Sequence, residues 1–258
     1  MSISAPVPAA TVLLLRDDPQ FQVLMVKRHH EIDFASGALV FPGGKIQTDD
    51  ADDGWRDCVI DWTEFDQVQR SIRIGAIREV FEEVGLLLGE HASGGSLKSG
   101  GDPSVRAAVA SGEARFLDIV REMGGRLSLS DMTPFARWIT PTIMPKRFDT
   151  WFYVAHAPTH QTAACDGRET VHQEWLVPSD AVELGTSRKR TIIFPTLMNL
   201  RRLAQSESAK DCIQAASRRS LAPVLPEIEQ REDGPYLTLP ADSGYGAIAV
   251  PLADLMAR

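Results

Sequence analysis

Two apolar, β-rich runs, Ala10 to Arg16 and Phe21 to Arg28, flank Asp17-Asp18-Pro19-Gln20, and such runs parted by a short polar turn predict two paired strands. A third run, Ala38 to Phe41, stops at Pro42-Gly43-Gly44. Proline ends strand pairing and the glycines open backbone geometries closed to other residues, so a tight loop is expected there. Residues 47–66 are rich in Asp and show no period. From Val68 to Leu88 the spacing turns helical, with Ile77, Val80, Phe81, Val84 and Leu88 in one stripe and Gly85 as a natural C-terminal cap. Glu90 to Asp102 carries Gly and Ser and reads as a loop; Val105 to Met123 reads as helix closed by Gly124-Gly125. Together these form an inserted helical segment at about 90–130.

β character returns in Ala136 to Thr140, Asp149 to His156 and Val171 to Val177, where Trp151-Phe152-Tyr153-Val154 is strongly strand-forming. Trp138, Trp151 and Phe152 are expected in the core rather than on a ligand. Short helices follow, one capped by Ser179 or Asp180, one over Pro195 to Leu203 and one over Ala209 to Ala216. In a C-terminal extension at about 205–258, Tyr236 to Leu239 and Ala247 to Val250 around Ser243-Gly244 predict a hairpin.

Composition narrows the class. The chain has 258 residues, 43% of them hydrophobic and 24% charged, which is globular rather than disordered or membranous. Lys plus Arg number 27 against 35 for Asp plus Glu, a formal charge of −8, so the bulk field repels nucleic acids and anionic membranes, and neither is an expected partner. An acidic enzyme still acts on anionic substrates when divalent ions neutralise its carboxylates. Cys58, Cys165 and Cys212 are odd in number and lack CxxC or His neighbours, as reduced thiols do. Ala5 to Leu15 has no basic lead-in and is broken by Pro8, so no signal peptide is read. No uncharged run approaches the ~20 residues of a span, and Met256-Ala257-Arg258 is not a peroxisomal address. A cytoplasmic location is the expectation.

The chemistry concentrates in Arg78-Glu79-Val80-Phe81-Glu82-Glu83-Val84-Gly85-Leu86. On a helix Glu79, Glu82 and Glu83 converge on one face, and Arg78 reaches Glu82 at i+4 but cannot neutralise all three. Mg²⁺ suits such an open carboxylate cluster, since it keeps waters and substrate phosphates as its remaining ligands. With Phe41-Pro42-Gly43-Gly44 ahead of them, these residues resemble the Nudix box, the signature of hydrolases that cleave a diphosphate linked to another moiety. Two departures stand out. Where the family has Glu six residues after Gly44, this chain has Asp50, and 27 residues rather than seven separate it from Arg78. The box is split between 43–50 and 78–86, an insertion that costs little in loop closure, and Asp49, Asp50, Asp52 or Asp53 could stand in for the absent Glu.

The resemblance implies an α+β fold, a Nudix α/β/α sandwich with a mixed central sheet, built here as a single elaborated domain over 1–258. It implies attack of water on phosphorus assisted by Mg²⁺ or Mn²⁺. Glu82 and Glu83 would be metal ligands, Glu79 a ligand or the base, and Arg78 the group that orients them. Gly43 would add a metal contact and Gly44 a close approach to substrate. Glu174, in a late strand, is a further candidate ligand or base, or else a solvated strand residue; Glu169 is a weaker one. Arg28 and Arg147 are candidate phosphate contacts, because guanidinium matches phosphate bidentately. His29-His30 reads as a solvated strand end with rings on opposite faces.

Val40-Phe41-Pro42-Gly43-Gly44 with an Asp-rich insertion, Arg137-Trp138-Ile139-Thr140-Pro141, Lys146-Arg147-Phe148-Asp149-Thr150-Trp151 and Pro223-Val224-Leu225-Pro226 are similar to the coenzyme A diphosphatase branch that includes a peroxisomal animal enzyme and bacterial relatives. That likeness implies coenzyme A or acyl-CoA as substrate, cut to adenosine 3′,5′-bisphosphate and (acyl-)phosphopantetheine. The alternatives are another nucleoside diphosphate derivative, such as a dinucleotide or ADP-sugar, or a non-catalytic sensor of one. Dimerisation stays open.

Overall fold

The computed structural model describes residues 4–30, 36–97 and 102–256; positions 98–101 of the loop expected at Glu90 to Asp102, and the terminal Ala257-Arg258, lie outside the described residues. The first half runs β1 (Val7–Arg16), β2 (Gln22–Arg28), β3 (Leu39–Val40), β4 (Gly43–Lys45) and α1 (Gln67–Val84). An insertion follows, with β5 (Gly89–His91), α2 (Pro103–Ser111), α3 (Phe116–Glu122) and β6 (Gly125–Leu127). The second half runs β7 (Thr133–Ile139), β8 (Phe148–His156), β9 (Thr170–Leu176), α4 (Pro178–Thr186), α5 (Phe194–Leu203) and α6 (Ala209–Ser217). It ends with β10 (Pro223–Val224), β11 (Glu227–Arg231), β12 (Gly234–Thr238), β13 (Ala249–Pro251) and α7 (Leu252–Met256).

The main sheet has the order β10-β7-β8-β1-β2-β3, with β4 also on β1 and β9 on β2. It is mixed: β1 runs parallel to β8 and antiparallel to β2 and β4. β1 sits in the middle with both faces covered, which is why Val12-Leu13-Leu14-Leu15 is uninterruptedly apolar. Val12 and Leu14 enter the core beneath α1, while Leu13 and Leu15 enter the core beneath α5 and α6. The same alternation sends Trp138 and Phe152 into the second core and turns Trp151 to the first.

Several local expectations change. α4 takes Val177 as its N-cap, with Pro178 opening the helix and Ser179 and Asp180 already inside it. The helix read over Val105 to Met123 is two, α2 and α3, because Gly112 takes a left-handed φ of 77° and caps the first. α1 stops at Val84, where Gly85 turns left-handed at φ 70°, and Leu86 to Leu88 continue as buried non-helical chain. The expected tail hairpin forms, with Leu237 opposite Val250, but β11 joins it as a third strand. The aperiodic 47–66 stretch folds into three 3-10 turns that bury Asp50, Trp55 and Cys58.

Candidate active site

The glycine turn and α1 meet at van der Waals distance. A Cβ on Gly43 would lie 2.3 Å from the Ala10 carbonyl oxygen, and one on Gly44 would lie 2.5–2.7 Å from the Glu79 carboxylate. Only glycine lets β4 pair with β1 and press against the helix at once. The Gly43 N–H donates to Glu83 Oε2 at 3.2 Å.

Arg78 joins the two halves of the split motif. Its Nε and Nη2 donate to the two oxygens of Asp50 at 2.9 and 3.1 Å, Nη2 also to the Lys45 carbonyl at 2.8 Å, and Nη1 to Glu79 and Glu82, each at 2.9 Å. All five guanidinium N–H groups are thereby occupied. Asp50, 1% exposed, is held in turn by the Gln47 N–H at 2.8 Å, and Gly75 of α1 leaves room for it, since a Cβ there would stand 2.6 Å from Asp50 Oδ2. Of the four aspartates that could have replaced the absent Glu, Asp50 is the one docked on the helix, while Asp49 and Asp52 pair with Arg115 at the surface.

The carboxylates are desolvated. Glu79, Glu82 and Glu83 are 8%, 9% and 4% exposed. Burial pushes Glu79 up to about 7 despite Arg78. It raises Glu82 against the same guanidinium, and it lifts Glu83 well above the usual carboxylate range, helped by repulsion from Glu79 and opposed by Arg28 and the Gly43 N–H. Burial would lower Arg78, but the Asp50 hydrogen bond and the surrounding anions more than reverse this and raise it. The charge of Glu169 raises all three glutamates.

The end of α1 that carries Glu82 and Glu83 is tied from three distant segments. Arg106 of α2 donates to the Phe81 carbonyl at 3.0 Å and the Glu82 carbonyl at 2.9 Å, a cation placed where the helix dipole is negative. Thr170 Oγ1 donates to the Glu83 carbonyl at 3.2 Å, and the Ala164 N–H to that of Val84 at 2.9 Å. Arg106 was not legible in the sequence, because nothing local marks an arginine that caps another helix.

Some expected site residues arrive and others do not. Arg28 stands at the end of β2 close enough to Glu83 to lower its proton affinity, and its buried Nε has no hydrogen-bond partner. Arg147 is placed otherwise. Its guanidinium donates to the backbone carbonyls of Thr140 at 3.0 Å and Ser4 at 2.8 Å, so it clamps the chain rather than facing a phosphate. Glu174 pairs with Met25 in the sheet and stands 4.0 Å from Arg190, and its buried Oε1 has no hydrogen-bond partner among the described residues. Glu169, just ahead of β9, is near enough for its charge to act on all three glutamates. β2 ends before His29-His30, whose rings stack at 4.3 Å instead of pointing to opposite faces.

Among the described residues, no three His, Cys, Asp or Glu side chains already close on one ion-sized point. The donor chemistry nevertheless fits a hard dication. Asp50, Glu79, Glu82 and Glu83 outnumber Arg78 and Arg28, and buried carboxylates with raised proton affinity gain from a cation.

The architecture is shared with a Nudix hydrolase from Alicyclobacillus acidocaldarius, which superposes with a TM-score of 0.74 over 85% of this chain and 100% of that one at 23% identity. That likeness gives the chain a Nudix fold, in which the glycine loop meets the carboxylate-bearing helix. The family model described as the NUDT19 Nudix domain matches residues 66–203, more than half of the chain, which belongs to that family. Among its relatives, the acyl-coenzyme A diphosphatase NUDT19 of Xenopus laevis is 26% identical over 87% of this chain and 71% of its own length. The human protein of that name is 29% identical over 68% of this chain, which spans about half of it, 51%. No helix among the described residues is long and apolar enough to cross a membrane.

Proposed function

We propose that the chain hydrolyses the diphosphate bridge of coenzyme A or its acyl thioesters, releasing adenosine 3′,5′-bisphosphate and (acyl-)phosphopantetheine. One observation carries the chemistry: Glu79, Glu82 and Glu83 are buried together against Gly43-Gly44, with Arg78 holding two of them and Asp50. The activity for which the relatives are named supports the substrate.

Bound Mg²⁺ or Mn²⁺ would supply Lewis-acid polarisation of the phosphoryl oxygens and neutralise their charge. Glu82 and Glu83 are assigned to hold it, with the Gly43 backbone beside them. Glu79, whose carboxyl is pushed up to about 7, is suited to take the proton from the attacking water near neutral pH. The water oxygen bonds to one phosphorus, the bridging P–O bond breaks, and the bridging oxygen leaves with the other phosphate. Arg78 keeps Glu79 and Glu82 in place, Gly44 admits substrate against them, and the free Nε–H of Arg28 is available to a phosphate oxygen.

The test is a mass-spectrometric product assay with Mg²⁺, offering coenzyme A, acetyl-CoA, NADH and ADP-ribose in one pool, with Glu83→Gln as control. Adenosine 3′,5′-bisphosphate and phosphopantetheine from the wild type alone are expected. Cleavage of NADH or ADP-ribose instead would overturn the substrate and keep the chemistry; binding without turnover would favour a sensor.

A further inference from the structure

A groove of about 340 Å³ begins at the glycine turn, and Arg28 and Gly43 line its near end. Gly43 also donates to Glu83, so groove and carboxylates share a boundary. Its floor follows the strand pairing: Gly43 is opposite Thr11, Thr11 is opposite Phe152, β7 adds Trp138 with Thr140 just past its end, and Pro226 lies just past β10. Neighbouring strands are about 4.8 Å apart, so four steps give a track of roughly 19 Å. Along β8 the lining extends from Phe152 back to Phe148, about 13 Å at the rise of a strand. Ile143 and Met144, in the loop before Phe148, stand at the end remote from the carboxylates, and Leu252 and Leu255 of α7 add further apolar wall.

The lining is mostly apolar, interrupted by Thr11, Thr140, Thr150 and Thr196, and Arg28 is its only charged residue among those described. This composition decides which half of the proposed substrate enters. A nucleotide carrying an extra phosphate would be desolvated there with only Arg28, among the described lining residues, to meet its charge, at high cost. A branched aliphatic arm with two amides and an acyl thioester finds apolar walls and a few hydroxyl partners. At about 340 Å³ the groove is at the lower end of the range of small-ligand pockets, roughly 300–1,000 Å³, a size that suits one extended arm rather than the whole substrate.

We propose that this groove holds the acyl-pantetheine arm, with the nucleotide outside it, and that Ile143 and Met144 contact the acyl chain and set a preference for thioesters over free coenzyme A. This rests on the coenzyme A function proposed above. The diphosphate then lies at Arg28 and Gly43, and the thioester approaches the mouth beside Met144.

The test is calorimetric binding to the Glu83→Gln protein in Mg²⁺ buffer of coenzyme A, hexanoyl-CoA and adenosine 3′,5′-bisphosphate, run beside wild-type turnover. Hexanoyl-CoA should bind at least tenfold more tightly than coenzyme A. Adding Met144→Trp should remove that advantage without weakening the bisphosphate. Ile143→Asp, at a position 57% exposed and so tolerant of substitution, should act the same way if the first variant folds poorly. Equal affinity for coenzyme A and hexanoyl-CoA, or loss of bisphosphate binding in place of the acyl advantage, would overturn the proposal. If the binding pattern holds while the wild type cleaves no coenzyme A species, the groove stands and the proposed function fails. Cleavage without any acyl advantage in binding would leave the function standing and overturn the groove.

Discussion

On one face of the central sheet α1 buries Asp50, Arg78, Glu79, Glu82 and Glu83; on the other, α5 and α6 bury Leu197, Leu200, Leu203, Ala209 and Cys212 against Leu13, Leu15 and Phe152. The second interior stabilises the fold through apolar area removed from water. The first takes charge out of water, which costs stability unless each group is paired. Arg78 offsets part of that cost, and the raised proton affinities of Glu79 and Glu83 have burial as their first cause. The apolar face supplies most of the folding stability, and the charged one is tolerated because groups so perturbed are useful for chemistry.

The sharpest way to separate the faces is Glu83→Gln. Turnover should fall on the order of 10³-fold, while metal-free thermal stability rises, because a strained carboxylate has gone. A calorimetric melt that drops instead would place Glu83 among the stabilising groups. Next in size, Arg78→Met should cost about 3–5 kcal/mol in urea denaturation, since it leaves buried anions unpaired. Phe152→Ala on the other face should cost a similar amount, but it should leave the pH dependence of stability untouched.

That pH dependence has a definite sign. Glu79 holds its proton up to about 7 in the fold and releases it near the ordinary carboxyl value when unfolded. Between those values the native state binds more protons, and stability falls as pH rises. The contribution is fully present below the ordinary value and lost through about 7. In EDTA the melting temperature should therefore drop between pH 5 and pH 8, less so in Glu83→Gln, and saturating Mg²⁺ should lift the high-pH end. A flat profile in EDTA would mean that the carboxylates are solvated.

The smallest contrast concerns the late acidic residues. Glu169→Gln should slow turnover about tenfold, as loss of a neighbouring carboxylate does at metal sites. Glu174→Gln, with its partner Arg190 on a different segment, should stay within about twofold. Reversal of that order in steady-state assays would return Glu174 to the role the sequence suggested.

Much of this was legible from spacing alone. The apolar β-rich runs of β1 and β2, the apolar stripe of α1 and the Gly85 cap are local patterns, and the structure reproduces them. The Arg78-to-Leu86 motif is also local, and its resemblance to the Nudix box led to the family that the comparisons establish. What escaped depends on contacts between distant segments. Asp50 could be shortlisted as an acid after the glycines, but its choice over Asp49 required seeing Arg78 reach it across 27 intervening residues. Arg147 and Arg28 look alike as arginines near strand ends. Only the fold sends one to backbone carbonyls and leaves the other's Nε without a partner. Gly112 shows the opposite failure: a local signal for a break, hidden inside a longer helical pattern.

The ties on the last turn of α1 bear on timing. A helix terminus ordinarily frays, and a substrate meeting carboxylates on a fraying end would have to immobilise them in each catalytic cycle. Here Arg106, Thr170 and the Ala164 amide hold the carbonyls of that turn, so the ordering entropy is met once, at folding, and does not recur with each turnover. Amide hydrogens in the final turn of α1 should accordingly exchange only when the whole chain opens, making this helix end one of the slowest clocks in the molecule.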